Sequence, residues 1–302
     1  MFKLSIILAA YNVEQYIDEA IESYLDQEKD WSQLIIVNDG STDSTKCKIE
    51  KYITAKNNIV ILNKINGGLS SARNYGIEYA LDNSEYISFF DGDDILTNDY
   101  LSSFFSSVSK SDADIIEFNL QRFNNLGLQS KVKVCCVSQE EQITENIFST
   151  IVSNYKWHSC ARFYKSKLFY NLRFSLGRRY EDMLLTPHLY LQSKKIFGLN
   201  KELYLYRTNE NSITKTAKLS DIDDVSYGYN ILKDKIETSK LRRILYLRVI
   251  KHYFSILLNI PKRGEVKLAQ EKIAVSLNLN IIFLRCIYFI YEVVFKLKKF
   301  KG

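Results

Sequence analysis

The segment Tyr86-Ile87-Ser88-Phe89-Phe90-Asp91-Gly92-Asp93-Asp94 decides the fold class, because it joins a short apolar run to a turn that contains three acids. Residues 86–90 are short, aromatic and apolar enough to form a buried β-strand. The turn at 91–94 then stands at the carboxyl end of that strand, where open α/β sheets bind their ligands. Taken alone, the turn is equally compatible with a solvated loop that caps the next helix, since Asp and Gly are ordinary turn formers.

Four further apolar runs surround this strand and predict strands at residues 4–9, 34–37, 59–62 and 114–118. Amphipathic segments lie between them, and the clearest, at 17–25 and 69–81, predict helices. Alternating strands and helices indicate βαβ units, and hence an α/β fold with a mainly parallel sheet flanked by helices. After about residue 120 the pattern predicts a less regular α/β region, followed by helices from about Asp221 to the end.

Polar residues after the first two strands predict where the helices begin. Asn12 is predicted to cap the first helix, with Gln15 as its capping-box partner three residues on. Ser41 or Thr42 is predicted to cap the second helix.

The carboxyl ends of the predicted strands carry an unusual set of polar residues. The first strand ends in Ala10-Tyr11-Asn12, and the second ends in Asn38-Asp39-Gly40-Ser41-Thr42-Asp43. The three acids of the turn at 91–94 repel one another, and a hard divalent cation with oxygen ligands relieves that repulsion. Because such a cation keeps part of its coordination shell for phosphates, these turns predict Mg²⁺ or Mn²⁺ bound together with a diphosphate.

A glycine segment precedes the third predicted helix. Asn66-Gly67-Gly68-Leu69-Ser70-Ser71-Ala72-Arg73-Asn74 places two glycines before the helix and Arg73 in its first turns. Backbone N–H groups at a helix start and a guanidinium both suit an anion. By itself, the segment is better explained as a helix cap with a surface arginine.

Composition limits the class of protein. The 302 residues, 46% of them hydrophobic, suffice for a large core in one large domain or two smaller ones. Five cysteines without a C-x-x-C pair argue against a disulfide framework or a zinc site and favour a reducing cytosol. Residues 1–10 are predicted as a buried strand rather than a signal peptide, and no uncharged apolar stretch of about 18 residues predicts a membrane-spanning helix.

Charge is unevenly distributed along the chain. Residues 240–302 carry fourteen Lys and Arg against three Asp and Glu, a surplus of eleven, although the net charge of the whole chain is +6. Apolar runs at 281–284 and 287–291 lie among these basic residues, which predicts a helix in an anionic membrane interface. A basic helical cap packed on the rest of the protein is the alternative, and no recognised motif supports nucleic-acid binding. The basic residues concerned are Arg242, Arg243, Arg248, Lys251, Lys262, Arg263, Lys296, Lys298, Lys299 and Lys301.

Together, the segments of the first hundred or so residues resemble the family 2 glycosyltransferases, whose fold is called GT-A. The blocks that carry the resemblance are, in chain order, Ser5-Ile6-Ile7-Leu8-Ala9-Ala10-Tyr11-Asn12, Val37-Asn38-Asp39-Gly40-Ser41-Thr42-Asp43, Asn66-Gly67-Gly68-Leu69-Ser70-Ser71-Ala72-Arg73-Asn74-Tyr75-Gly76 and Phe89-Phe90-Asp91-Gly92-Asp93-Asp94. Four ordered blocks make the match specific. The family usually has a proline where Ala9 or Ala10 stands, a departure that affects turn geometry more than chemistry.

The resemblance implies a nucleotide-sugar site. Ala10 and Tyr11 would line the base pocket, and Asp39 would accept a hydrogen bond from the base, typically uracil. Arg73 would also face the nucleotide.

The acidic turn would complete that site. Asp91, next to Gly92, would contact the ribose or the metal shell, and Asp93 would hold Mn²⁺ or Mg²⁺ on the diphosphate. Asp94 is expected to cap the next helix.

The resemblance continues more weakly into the second half, where it implies the acceptor side. Arg179-Tyr180-Glu181-Asp182-Met183-Leu184 resembles an acidic family motif, so Asp182 is the implied general base, with Glu181 beside it. From the residues alone, this pair is better explained as the start of a helix, where acids favour the helix dipole. Lys156-Trp157 with residues 162–169, and Tyr206-Arg207 with Ser212-Ile213-Thr214, resemble further family blocks, whereas His158 receives no role.

The expected function follows from this resemblance. It implies an inverting, metal-dependent enzyme that moves one sugar from a nucleotide-diphosphate sugar to a glycan or lipid-linked glycan in cell-surface polysaccharide synthesis. A Q-x-x-R-W motif, found in processive members, is absent, which favours transfer of one sugar. A non-catalytic sugar-nucleotide-binding or scaffold relative is the main alternative. A nucleotidyltransferase is a second one, but its glycine-rich loop with Arg and Lys is missing after the first strand.

The expected organisation is a catalytic domain at 1–220, with a nucleotide-sugar half at 1–120 and an acceptor half at 121–220. A basic helical region at 221–302 would follow. The expected location is the cytoplasm, peripheral on the inner face of the plasma membrane.

Overall fold

The computed structural model describes residues 1–53, 58–208, 217–261 and 263–299. The chain divides into two compact units, Met1–Thr208 and Asn209–Gly302. The strands of the first unit are β1 (Phe2–Ala10), β2 (Ser32–Asn38), β3 (Ile59–Asn63), β4 (Ser84–Asp91), β5 (Ile95–Leu96), β6 (Ile115–Asn124), β7 (Gly127–Val132), β8 (Glu140–Gln142), β9 (Arg162–Lys165) and β10 (Lys195–Arg207). Its helices are α1 (Ile17–Leu25), α2 (Thr45–Glu50), α3 (Leu69–Leu81), α4 (Tyr100–Val108), α5 (Glu145–Asn154) and α6 (Glu181–Gln192).

Parallel pairing places the ends of the first strands side by side. The sheet has the order β3-β2-β1-β4-β9-β6-β10-β5, with β7 beside β6 and β8 beside β10. β1 pairs in parallel with both β2 and β4, and its register sets Ala10 opposite Asn38 and Ala9 opposite Asp91. The turns that follow these three strands therefore meet at one edge of the sheet.

The sheet is mixed beyond β4. β6 and β10 are parallel to each other, but β9 pairs antiparallel with both β4 and β6, and β5 pairs antiparallel with β10. The predicted α/β architecture with flanking helices is confirmed, whereas these antiparallel strands were not predicted. Because β9 has four residues and its partners lie far away in the chain, the local sequence pattern carries no signal of its direction.

Helix α3, which contains Arg73, packs closely on the sheet. A Cβ atom at Gly76 would lie 2.4 Å from Cγ2 of Ile7 and 3.3 Å from Cγ2 of Val37. Only a residue without a side chain permits this approach of helix to strand. Ile7 and Val37 are fully buried, so the contact is part of the core.

The predicted helix caps were wrong. Asn12 has φ +51°, and its Oδ1 accepts a hydrogen bond from the backbone N–H of Thr42 at 2.8 Å, whereas α1 begins only at Ile17. Helix α2 begins at Thr45, whose N–H donates to Oδ1 of Asp43 at 2.9 Å. The polar side chains after β1 and β2 thus hydrogen-bond to each other's loops rather than to the starts of their own helices.

The described part of the second unit is helical, as predicted for the C-terminal region. Its helices are α7 (Ser220–Lys233), α8 (Ser239–Asn259), α9 (Arg263–Leu277) and α10 (Ile281–Lys299). In the part of the chain that the structure describes, none of the helices has the length and apolar character needed to cross a bilayer. Ser212-Ile213-Thr214, Lys262 and Lys301 lie outside the described residues, as do the side chains of Arg263, Phe283, Ile290, Lys296, Lys298 and Lys299.

Candidate active site

Arg73 joins three carboxylates at the edge of the sheet. Its Nη2 lies 2.8 Å from Oδ1 of Asp91, and its Nη1 lies 2.9 Å from Oε1 of Glu181 and 3.1 Å from Oδ1 of Asp182. The guanidinium is only 2% exposed and faces the ring of Phe174, with 5.2 Å between Cζ and the ring centroid. The structure thus brings Asp91 of the first half together with the predicted base pair of the second half.

The excess of negative charge in this cluster changes the protonation of Glu181. Burial, and then the neighbouring Asp182, raise the pKa of Glu181 to about 7, although Arg73 opposes the shift. Near neutral pH Glu181 is therefore partly protonated.

The Asp182 carboxylate is hydrogen-bonded to the backbone and partly exposed to solvent. It lies in the first turn of α6, and its Oδ2 accepts a hydrogen bond from the backbone N–H of Ser159 at 3.1 Å. The Asp182 side chain is 26% exposed, against 16% for Glu181. Of the two neighbouring carboxylates, that of Asp182 is therefore the more accessible to solvent.

Within the acidic turn, Asp94 is a structural residue. Its side chain accepts hydrogen bonds from the hydroxyl of Tyr204 and from the backbone N–H of Arg207, both at 2.7 Å. The expectation that Asp94 caps the next helix was wrong, because α4 begins at Tyr100 with Asp99 as its N-cap. The buried carboxylate instead ties the turn to the end of β10.

Arg207 fixes the turn from the other side. Its Nε donates to the backbone carbonyl of Asp93 at 2.6 Å, and its Cζ lies 4.6 Å from the ring centroid of Tyr16 and 4.4 Å from that of Phe123. It also pairs with Glu19. The sequence reasoning missed this role, since Tyr206-Arg207 was matched only as a family block.

The turn at 91–94 suits a metal ion that is shared with a phosphate ligand. Burial and the charge of Asp91 raise the pKa of Asp93 to about 6, so its carboxylate lies where a cation is electrostatically favoured. Among the residues that the structure describes, no group of three or more His, Cys, Asp or Glu side chains is arranged to hold a metal ion. Mg²⁺ or Mn²⁺ on one or two carboxylates and a diphosphate needs no such group, and the residues present fit that arrangement.

Asp39 lies at the end of β2 in a ring of donors. Its Oδ1 accepts from Nζ of Lys64 at 2.6 Å and from the N–H of Gly67 at 3.0 Å, and its Oδ2 accepts from the N–H of Gly68 at 2.7 Å. The backbone N–H of Asp39 in turn donates to the carbonyl of Ala10 at 2.9 Å. The glycine segment before α3 therefore folds against the carboxylate predicted to read the base.

Tyr11 and Gly92 flank this region. The Tyr11 side chain is 48% exposed, so its ring is available to a ligand. The N–H of Gly92 donates to the carbonyl of Ala9 at 3.2 Å, and a Cβ atom at Gly92 would crowd Val13 at 3.1 Å. Gly92 thus holds the acidic turn against β1. The contacts of Ala10, Tyr11, Asp39, Arg73, Asp91 and Gly92 with a nucleotide sugar stay predictions.

His158 lies beside Asp182 but stays without an assigned role. Burial lowers its pKa to about 4, against the opposing charge of Asp182, so the imidazole is neutral near pH 7. Its Nδ1 atom is buried and has no hydrogen-bond partner among the described residues.

Comparison with known sequences agrees with this site. Residues 5–170 match the family described as Glycosyl transferase family 2. The chain is 31% identical over 221 residues to Glycosyltransferase GlyA of Streptococcus pneumoniae, which covers 70% of this chain and 32% of GlyA. It is 30% identical over 224 residues to Glycosyltransferase GlyG of the same organism, which covers 70% of this chain and 73% of GlyG. The chain therefore spans about a third of the first relative and most of the second.

Comparison with solved structures confirms the GT-A type of fold. Residues 1–349 of Staphylococcus aureus TarS, in complex with UDP-GlcNAc, superpose with a TM-score of 0.74 at 22% identity, over 91% of this chain and 80% of that one. A mannosyltransferase from Pyrobaculum calidifontis, in complex with GDP-Man and Mn²⁺, gives a TM-score of 0.58 at 12% identity, over 96% of this chain and 80% of that one. The four sequence blocks, their meeting at one edge of the sheet and the family match all agree. This chain belongs to glycosyl transferase family 2.

Proposed function

We propose that this protein is an inverting, metal-dependent glycosyltransferase that moves one sugar from a UDP-sugar to a glycan or lipid-linked glycan acceptor. The observation that carries the proposal is the cluster in which Arg73 joins Asp91 to Asp182. Relatives support the setting: a minor teichoic acid biosynthesis protein of Bacillus subtilis is 34% identical over 230 residues, which are 24% of its length. Structures of TarS with UDP and with UDP-GlcNAc support the donor class.

The chemistry is a single displacement. An acceptor hydroxyl oxygen forms a bond to the anomeric carbon as the bond from that carbon to the diphosphate oxygen breaks. Asp182 takes the hydroxyl proton, and the nucleoside diphosphate leaves with the electron pair of the broken bond. Attack from the face opposite the leaving group inverts the anomeric configuration, and no covalent intermediate forms.

The protein's own groups prepare this displacement. Arg73 fixes Asp91 on the donor side relative to Asp182 on the acceptor side, which orients the two reactants. Asp93 would hold Mg²⁺ or Mn²⁺, which when bound stabilises the charge on the leaving diphosphate. Arg207 and Tyr204 keep the acidic turn in place through the backbone of Asp93 and the side chain of Asp94.

The test is a panel of nucleotide sugars, assayed for release of nucleoside diphosphate with and without an acceptor extract, in Mn²⁺, Mg²⁺ or EDTA. The proposal expects one UDP-sugar to be turned over, with metal required and turnover lowered roughly a hundredfold or more by Asp182→Asn. Metal-dependent UDP binding without turnover of any donor or acceptor would instead show the non-catalytic relative. Absence of both binding and turnover would overturn the proposal.

We further propose that the second unit attaches the enzyme to the inner face of the plasma membrane. Its exposed apolar side chains lie in the chain segment with the surplus of basic residues: Leu247, Leu268, Val275, Ile282 and Phe289. Basic residues are attracted to an anionic leaflet, at about 1 kcal/mol for each one near the surface, and the apolar side chains add to binding by inserting into the interface. A cytoplasmic enzyme at that surface would meet both nucleotide sugars and lipid-linked acceptors.

A further inference from the structure

The loop that precedes β9 is fastened by its carbonyl groups. The carbonyl of Lys156 accepts from Nη2 of Arg162 at 2.6 Å, and the carbonyl of His158 accepts from Nη1 of the same residue at 2.6 Å. Between them, the carbonyl of Trp157 accepts from the hydroxyl of Thr186 on α6 at 3.0 Å. Three consecutive carbonyls are therefore held by side chains, so the path of residues 156–158 is tightly fixed.

Arg162 is itself held from behind. Its side chain is 1% exposed, its Nε donates to the hydroxyl of Tyr190 at 2.5 Å, and its Nη2 lies 3.6 Å from Oε1 of Glu117. Tyr190 also donates to Glu117, and Oε2 of Glu117 accepts from the backbone N–H of Cys136 at 2.7 Å. Every nitrogen of the guanidinium thus has a partner.

A buried ion pair of this kind is weak evidence for a contribution to stability, because desolvation offsets most of the attraction between the charges. The geometry of the Arg162 contacts says more about the role of this residue. A planar guanidinium binds two acceptors in a fixed fork, which a flexible ammonium group does not reproduce. The two hydrogen bonds from Arg162 therefore fix the position of the loop at residues 156–158.

The loop leads directly to the proposed base. Ser159 follows His158, and its N–H is the donor to Oδ2 of Asp182. With Arg73 on Oδ1, Ser159 supplies the second contact that fixes the orientation of this carboxylate. The chain of contacts runs from Glu117 and Arg162, through the loop, to Asp182.

We propose that Arg162 is a positioning residue for catalysis, which acts through the loop 156–159 to orient the Asp182 carboxylate toward the acceptor. The proposal rests on the proposed function, in which Asp182 is the base. It gives a role to the buried cluster of Glu117, Arg162 and Tyr190, which that function does not itself use.

The test is a double-mutant cycle of Arg162→Lys with Asp182→Asn, read as single-turnover transfer rates. Arg162→Lys keeps the charge beside Glu117 but cannot bind both carbonyls, so the transfer rate constant should fall roughly tenfold to a hundredfold, the scale for a small misplacement. The donor KM and the affinity for UDP should stay unchanged. In the Asp182→Asn background, the same substitution should change the residual rate by less than about twofold, since residues that act as a unit are not additive.

Two further variants serve as a control and as a replacement for Arg162→Lys in the double-mutant cycle. Lys165→Met is the matched control on the same strand. Lys165 pairs with Asp112 at 2.6 Å, and in the part of the chain that the structure describes it forms no hydrogen bond or ion pair with Arg162 or Asp182. This substitution should therefore lower the melting temperature without lowering the transfer rate constant. If Arg162→Lys does not fold, Thr186→Val removes one hydroxyl without leaving a buried charge and should show the same non-additive loss.

The possible results distinguish an error in the role of Arg162 from an error in the identity of the base. An equal loss from Arg162→Lys or Thr186→Val in both backgrounds would mean a general structural role and would overturn the inference. Transfer at the wild-type rate by Asp182→Asn would instead show that the proposed base is wrong.

Discussion

Nη1 of Arg73 lies 3.1 Å from Oδ1 of Asp182, although the two residues are 109 positions apart in the chain. Arg73 belongs to the helix after the glycine segment, and Asp182 lies in the first turn of α6. The same guanidinium reaches Asp91 at the end of β4. One buried side chain therefore links the residues that we propose for the donor side and the acceptor side of the site.

Arg73→Lys should lower kcat by about a hundredfold, the scale expected when reacting groups are slightly misplaced. A single ammonium group cannot span Asp91 on one side and Glu181 with Asp182 on the other. Steady-state kinetics on the active donor measure the effect, with the exposed Arg122→Lys as a control that stays at wild-type rate. A rise in donor KM with kcat unchanged would show that Arg73 contacts the donor alone.

Asp182→Asn should keep UDP binding yet lower turnover by roughly a hundredfold or more, the range for loss of a general base. Glu181→Gln should cost much less, because Gln resembles the protonated form that Glu181 partly adopts near pH 7. Rates and calorimetric UDP affinities of both variants provide the measurement. A larger loss from Glu181→Gln would reverse the assignment within the pair.

Asp93→Ala should abolish the strengthening of UDP binding by Mn²⁺ or Mg²⁺, because its carboxylate would hold the ion on the diphosphate. Titration calorimetry with UDP, with and without metal, gives the comparison. Asp99→Ala, at the half-exposed start of α4, is the matched control and should bind as the wild type does. Metal-dependent binding that survives Asp93→Ala would place the metal site elsewhere.

Stability should depend on pH through Glu181. Its pKa is raised from 4.5 to about 7 in the folded protein, so between these values the folded state binds more protons than the unfolded state. The stabilising contribution is complete below pH 4.5 and is lost as the pH rises to about 7, at up to about 1.4 kcal/mol per pH unit. Glu181→Gln should remove this slope from melting temperatures measured without ligand. Parallel pH profiles of wild type and variant would contradict the pKa shift.

The second unit should bind liposomes that contain anionic lipid and should release them at high salt. Ile282→Asp combined with Phe289→Asp should weaken binding, since both side chains are about two-thirds exposed and apolar. Leu126→Asp, at a 94% exposed leucine in the first unit, serves as the control in the sedimentation assay. Equal binding to neutral vesicles, or none at all, would leave the basic region as a structural cap.

The sequence predicted those parts of the fold whose signal is local. The strands that became β1 to β4 are continuous apolar runs, and Asp39 and Asp91 follow them directly, so their meeting at one sheet edge followed from parallel pairing. Asn12 and Asp94 were misassigned because polar residues at strand ends have several possible partners. Their actual partners, Thr42 and Arg207, come from other loops and strands.

The arginines of the site show more clearly which contacts could not be predicted from the sequence. Arg73 was predicted to face an anion, but its partners in the second half were not predicted, because nothing near it in the sequence marks them. Arg162 and Arg207 were matched only as members of family blocks. Both arginines contact backbone carbonyls, which any residue type can supply, so no sequence pattern predicts these contacts.

The position of β10 has a consequence for synthesis of the chain. Its last residue, Arg207, supplies hydrogen bonds to the acidic turn across 113 residues of sequence, and β5 of the first half pairs only with this late strand among the described residues. As the ribosome releases the chain from its N-terminus, the first four strands can assemble early, but the turn that would carry the metal waits for β10. A nascent chain that ends before Arg207 should therefore be compact and yet unable to bind nucleotide through a metal. Metal-dependent nucleotide binding should in this sense appear only after β10 has joined the sheet.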